Sequence, residues 1–207
     1  MMPEYRVTLK SSGTLKMDVF KTFIEKHTPL PTKDWETIQR AFTKKEVLKN
    51  ELILSEGEIC RNFYFLERGL LRYFYNIDGN EVVKTFTIPP FCFTSKISFR
   101  NQRPAQESIQ ALEDSVVWLT SYAQYRVLEK MDAWNRFINS LLNEIDEFSE
   151  TMIIQSKTLT PDQRYQWLTR NFPSSVLQRI PQKDIASFLG IAPQSLSRIK
   201  HNMLKKR

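Results

Sequence analysis

Residues 182–200 read QKDIASFLGIAPQSLSRIK. Ile185 and Leu189 stand four positions apart, on one face of a short helix, and Ala186 is small where a second helix must come close. Gly190 supplies the backbone freedom of a sharp turn. Ile191 plugs that turn, Pro193 opens a second helix at its first position, and Leu196 and Ile199 form the second helix's inward face. Apolar, small and glycine positions in this order predict a helix-turn-helix, two helices at a steep angle with the second projecting outward. The alternative is an ordinary helical hairpin with a solvated polar face.

The outward positions of the second helix are Gln194, Ser195, Ser197, Arg198 and Lys200. Glutamine can pair bidentately with adenine and arginine with guanine, while serine and lysine suit phosphates or either base. Gln182, Lys183 and Pro193 complete the candidate DNA-binding set. Charge agrees with this placement. Residues 156–207 hold ten Lys and Arg against Asp162 and Asp184, a local charge of +8, whereas residues 1–155 balance to −1 within a total of +7. Positive charge gathered on one segment is what phosphate-backbone binding needs, because each neutralised phosphate releases a counterion.

Upstream of the motif, Thr160-Pro161 marks a helix start, with Thr160 as N-cap and Pro161 at the first position. That helix carries Tyr165, Trp167 and Leu168. Before it, residues 132–157 read as one long helix. Trp134, Ile138, Leu141, Ile145, Phe148 and Met152 recur at alternating four- and three-residue steps. This is a heptad seam of nearly three repeats, suited to pairing with a second copy of the chain. Phe137, Leu142 and Ile153 widen the stripe, so one flank can pack on the preceding domain. The competing reading is a helix buried in its own domain.

From about Val47 to Thr120 the pattern is β. The short runs are Leu52–Leu54, Phe63–Leu66, Leu70–Tyr75, Val82–Ile88 and Ser108–Leu119, punctuated by Glu56-Gly57-Glu58, Arg68-Gly69, Asp78-Gly79-Asn80 and Pro89-Pro90. Asp78-Gly79 is a two-residue hairpin signal. Many short strands at this spacing predict a sandwich or jelly-roll barrel. Two helices precede them, one with Phe20, Phe23 and Ile24 on a face, the other at about residues 33–43 with Thr32 as N-cap. Residues 1–16 show no period and are expected to be a disordered leader. The expected organisation is therefore α+β: a leader at 1–16, a β-rich sensor domain at 17–131, a dimerisation helix at 132–157 and a helix-turn-helix domain at 158–207.

Composition narrows the chemistry. No apolar run approaches the ~18 residues of a membrane span, and no signal peptide opens the chain, so a cytoplasmic location is expected. Cys60 and Cys92 form no CxxC pair, and His27 and His201 are too distant for a typical His-rich metal site. Neither metal nor cofactor is expected. A metal enzyme on a barrel would need clustered His and carboxylates, and no histidine lies between His27 and His201. Glu144, Asp146, Glu147 and Glu150 read as a solvated helix face.

The segments Leu52–Glu58 (LILSEGE), Tyr64–Arg72 (YFLERGLLR), Ile109–Asp114 (IQALED) and Val176–Lys200 together resemble the Crp/Fnr regulator family, over residue 17 to the C-terminus. The likeness is nearest to the short members common in Bacteroidetes. It implies a jelly-roll-like β-roll of the cyclic-nucleotide-binding type with flanking helices, a long dimerisation helix and a DNA-binding head. The implied partners are double-stranded promoter DNA, a second copy of the chain, RNA polymerase and an unidentified small-molecule effector, with no membrane. Two-fold symmetry implies a near-palindromic site.

The departures are specific. Family members that bind cyclic nucleotides carry a Gly-Glu step and, further on, an arginine followed by a small residue. Here the first step falls on Thr94-Ser95 and the arginine position falls near Ala105, with Arg103 two residues away. The corresponding pocket would be lined by Phe93, Thr94, Ser95, Arg103, Gln106 and Ser108. A cyclic phosphate buried without its arginine leaves an uncompensated charge, so no tight cyclic-nucleotide binding is expected. Two scattered cysteines cannot hold the iron–sulfur cluster of the oxygen-sensing branch. Ala192 stands where the family usually offers a hydroxyl N-cap, and the β-wing after the recognition helix is largely missing; Lys205, Lys206 and Arg207 could replace part of its phosphate contact. The alternative to a regulator is a ligand- or protein-binding sensor or scaffold without specific DNA readout.

Overall fold

The computed structural model describes residues 17–205. The expected leader at 1–16, and Lys206 and Arg207, lie outside the described residues. Two short helices open the fold, α1 (Asp18–His27) and α2 (Thr32–Ala41). Thr32 is the first residue of α2; Pro31, which cannot cap through a side chain, occupies the N-cap.

Eight strands follow: β1 (Thr43–Val47), β2 (Leu52–Leu54), β3 (Asn62–Arg68), β4 (Leu71–Ile77), β5 (Asn80–Thr87), β6 (Phe91–Phe93), β7 (Ser108–Ala111) and β8 (Ser115–Ser121). Helix α3 (Lys96–Asn101) interrupts them between β6 and β7. The strands form two four-stranded antiparallel sheets, β1-β8-β3-β6 and β2-β7-β4-β5. This is the jelly-roll-like arrangement that the strand spacing predicts. Asp78 and Gly79 both take positive φ between the paired Ile77 and Asn80, the backbone of a two-residue hairpin.

The run Ser108–Leu119 is two strands in different sheets, not one. Leu112-Glu113-Asp114 carries the chain across the roll, and the Leu112 N–H donates to the carbonyl of Leu70 on the way. Gly69 makes the crossing possible: a Cβ there would lie 2.0 Å from Ser115 Oγ, and its φ of +115° suits only glycine.

Strands β3 and β4 are each buried on both faces. In β3, Phe65 stacks on Phe20 of α1 at 4.3 Å, and Phe63 meets Trp134 edge-on at 5.8 Å. Tyr64 stacks on Phe93 of β6. Consecutive apolar residues there answer to two covers, which explains the loss of alternation.

After α4 (Tyr122–Leu128), whose capping box joins Ser121 and Gln124, the long helix α5 runs Asp132–Thr158. The head comprises α6 (Pro161–Asn171), α7 (Ser174–Leu177), α8 (Gln182–Phe188) and α9 (Pro193–Lys205). Thr160 and Gln163 form a capping box with Pro161 at the first position, as the sequence predicts. No helix among the described residues is long and apolar enough to cross a membrane.

Within the chain the heptad stripe of α5 is fully covered only at Trp134 and Leu141; Ile138, Ile145, Phe148 and Met152 stay partly exposed. Trp134 and Leu141 are buried in the roll's core, together with Phe137, and Ile138 and Ile145 pack against that core. Phe148 packs against the second core, with its ring 6.3 Å from Trp167. Met152 faces the head across a cleft. A seven-residue repeat marks one apolar face, and that face here meets the roll and the head in turn. The large apolar side chains that α5 leaves more than half exposed are Ile153 and Ile154.

Candidate nucleic-acid interface

Helices α8 and α9 form a compact corner. Ile185, Ala186, Leu189, Leu196 and Ile199 are buried between them and their neighbours. Gly190 adopts a φ of +65°, and the Ile191 N–H donates back to the Ala186 carbonyl at 3.0 Å, which closes the turn. The Ala192 carbonyl accepts from Ser195 and Leu196, so α9 starts cleanly without a hydroxyl cap.

On α9, Gln194, Ser197 and Arg198 are exposed, and Pro193 is exposed at the helix start. Ser195 is half-buried, and its hydroxyl accepts from the Arg198 guanidinium at 3.3 Å. Ser197 donates to the Pro193 carbonyl. Lys200 donates to the Gln182 side chain at 2.8 Å and so ties α9 to the start of α8. Lys183 is exposed and lies 3.8 Å from Glu81 of the roll. The structure thus brings all eight candidate DNA-binding residues onto α8 and α9, with Gln194, Ser197 and Arg198 outermost.

The rear of the motif packs on the roll. Asp184, in the first turn of α8, is buried and accepts from Arg72 of β4 at 3.0 Å; Glu81 accepts from the same nitrogen at 2.8 Å. Burial pushes the Asp184 carboxyl above the ordinary carboxylate value, against the pull of Arg72 and Lys183. The Val83 N–H donates to Ser187 Oγ, which in turn donates to the Glu81 carbonyl. Phe86 and Phe188 lie 5.4 Å apart, and Leu70, Phe74, Val83 and Phe86 share one apolar core with Leu168, Phe172, Ile185 and Leu189. The sequence reading missed this joint. An arginine inside an apolar strand run was its one signal.

Inside the roll, the candidate pocket residues separate. Phe93 is buried, Thr94 donates to the Asn62 carbonyl, and Ser95 donates to the carboxylate of Glu107 at 2.8 Å. Ser108 is buried and accepts from the Glu56 N–H. Arg103 and Gln106 are exposed. In their stead stands a pair that the sequence reading missed: Glu107, almost wholly buried, bridged by Lys84 of β5 at 2.9 Å. Tyr73 lies beside it, with its hydroxyl donating to the Thr94 carbonyl, and burial raises that hydroxyl's pKa well above its usual value. Twenty-three residues separate Lys84 from Glu107, so no local spacing announces the pair.

Both cysteines are buried and reduced; burial also pushes the Cys92 thiol up, out of the reactive range. Among the described residues no group of His, Cys, Asp and Glu is arranged to hold a metal.

A profile of the cyclic nucleotide-binding domain family matches residues 44–130, from β1 through α4. No curated protein matches the chain. Among solved structures, FixK2 from Bradyrhizobium japonicum is similar with a TM-score of 0.66 at 17% identity, over 80% of this chain and 85% of that one. The c-di-GMP responsive global regulator CLP from Xanthomonas campestris gives 0.67 at 10% identity, over 85% and 93%. A transcriptional regulator assigned to the Crp/Fnr family, from Eubacterium rectale, gives 0.66 at 17% identity, over 86% and 85%. Identities this low carry the architecture, and the architecture is shared: roll, long helix and helical C-terminal region.

Proposed function

We propose that the chain is a sequence-specific DNA-binding transcription regulator of the Crp/Fnr type, acting in the cytoplasm as a homodimer on a near-palindromic promoter site. The observation that carries this reading is the exposed face of Gln194, Ser197 and Arg198 on a helix whose opposite side is locked by buried Leu196 and Ile199. A rigid helix presenting glutamine and arginine is the form that reads base edges in a major groove. RNA polymerase is the further partner such a regulator requires. Selection of bound sequences from a random DNA pool tests the reading directly. A recurrent two-fold site is expected, and recovery of no preferred sequence would overturn it. Within that site, Arg198→Ala should cost ~1–3 kcal/mol of specific binding and relax base preference at one position, measured by gel shift.

The roll's polar interior supports a regulator that does not respond to cyclic AMP. Where a cyclic phosphate would need a cation, Glu107 presents a carboxylate whose one cationic partner is Lys84. Two anions in that space would repel, and Arg103 is turned to solvent. Calorimetry with cyclic AMP and cyclic GMP should give no saturable heat.

Two large aliphatic side chains more than half exposed side by side, Ile153 and Ile154, support the end of α5 as part of the surface that meets the second copy.

A further inference from the structure

Lys84 stands where β5 breaks its register. Tyr73 pairs with Thr85 and Phe74 with Val83, so Lys84 is the extra residue of a bulge. A bulge interrupts the ladder and re-aims one side chain. The side chain re-aimed here turns to Glu107. Its ammonium donates to Glu107 Oε2 at 2.9 Å and lies over the rings of Tyr73 and Tyr75, 6.0 and 5.6 Å from their centroids. Glu107 Oε1 accepts from the Ser95 hydroxyl at 2.8 Å.

A buried carboxylate beside two aromatic faces has the chemistry of an ammonium site. The carboxylate supplies the charge, the rings favour a cation over their faces, and Ser95 holds the carboxylate in place. Among the described residues Lys84 is the only cation in ion-pair contact with Glu107. Burial pulls the Lys84 ammonium down, but Glu107 and Tyr75 more than offset it and keep it charged. The two partners are unequal: the Glu107 side chain is 10% exposed and that of Lys84 43%. Glu107 is thus the fixed receptor, and Lys84 reaches into it from a flexible stem.

The strand that carries Lys84 also carries the head. On either side of it, the Val83 N–H donates to Ser187 Oγ at 2.9 Å and Phe86 meets Phe188 at 5.4 Å, both on α8. Glu81 of the same strand shares Arg72 with Asp184 of α8. Holding Lys84 therefore holds the bulge against which α8 rests. We propose that Lys84 is a tethered ligand of the roll: its ammonium fills a site for a primary ammonium made by Glu107, Ser95, Tyr73 and Tyr75, and so fixes the strand beneath the head. Tethering gives that ammonium a local concentration well above that of a free amine. On the DNA-binding reading above, such a chain binds its site without a free effector. The claim about the roll is independent of that reading.

The test uses the full chain and no DNA, so its outcome is separate from that of DNA recognition. Lys84→Ala removes the side chain beyond Cβ, a piece with the outline of n-propylammonium. In that variant, amide exchange followed by mass spectrometry should quicken about tenfold or more over residues 81–87 and 182–189. n-Propylammonium up to about 50 mM should bind saturably in calorimetry and restore slow exchange, whereas n-propanol and sodium chloride should not. The native chain, already tethered, and the double variant Lys84→Ala with Glu107→Gln should each bind n-propylammonium at least about tenfold more weakly. If Lys84→Ala does not fold by circular dichroism, Glu107→Gln alone should quicken exchange over the same two segments. Unchanged exchange over 182–189 in either folded variant would overturn the inference and leave Lys84 a surface ion pair. So would rescue by sodium chloride equal to that by n-propylammonium, or equal n-propylammonium binding by the native chain.

Discussion

Arg72 and Asp184 are each about 5% exposed, and their side chains meet across the boundary between roll and head. Removing Arg72 leaves a carboxylate in an apolar joint, with its Oδ2 already lacking any partner. Arg72→Met is therefore expected to cost about 3–5 kcal/mol in urea unfolding, the range for breaking a buried pair. Asp184→Ala should be milder, because Glu81 still holds Arg72 at 2.8 Å. His27 gives a second prediction at this scale. Its ring is held against α5 by Ser140 at 3.1 Å, with Glu144 at 3.4 Å. Burial lowers its pKa from 6.5, against the pull of Glu144. The unfolded chain then binds a proton that the folded chain refuses, so stability should fall as pH drops from about 6.5 through the lowered folded value, and be flat above. The urea midpoint measured at pH 7 and pH 5 should show that fall, and His27→Gln should reduce it.

Among the elements, α5 illustrates what a repeat can and cannot say. Its apolar stripe was legible from Trp134 to Met152 and its ends lay within a residue of the observed Asp132–Thr158. What covers the stripe was not legible, because a roll, a head and a second helix all present apolar atoms. Trp134→Ala should therefore act as a core truncation and cost ~3–5 kcal/mol of unfolding free energy. The same substitution at a dimer seam would instead shift the association constant. Ile154→Asp is the contrasting variant: it should leave thermal unfolding nearly unchanged and convert a dimer to a monomer in sedimentation velocity. The strands divide in a similar way. Those with a turn signature, such as β4 and β5 around Asp78-Gly79, were readable. Strand β1, with four exposed residues of five and no alternation to mark it, was not. Strand β6 was too short to signal, and Ser108–Leu119 hid a crossing because Leu112 continues its apolar run.

For the whole molecule, the corner between α8 and α9 was the most readable part because its constraints are local: a glycine with positive φ, a small residue and a set of apolar positions within nineteen residues. The interior of the roll was the least readable, since Lys84, Ser95 and Glu107 meet only through the fold. Two apolar cores, one within the roll and one between roll and head, share α5 and β4. Tightly shared elements couple unfolding, so far-ultraviolet dichroism and tryptophan fluorescence should report one coincident urea transition.

The outer surface of the β2-β7-β4-β5 sheet depends on the head for its covering. Leu70, Phe74, Val83 and Phe86 are each below a tenth exposed only because α6, α7 and α8 lie over them. A chain truncated after α5 would present those four side chains to water as one continuous sticky area, beside the unpaired edge of β5. Such a fragment should come off a size-exclusion column as soluble aggregate where the full chain does not. The helical C-terminal region is thus also the roll's own solubility tag.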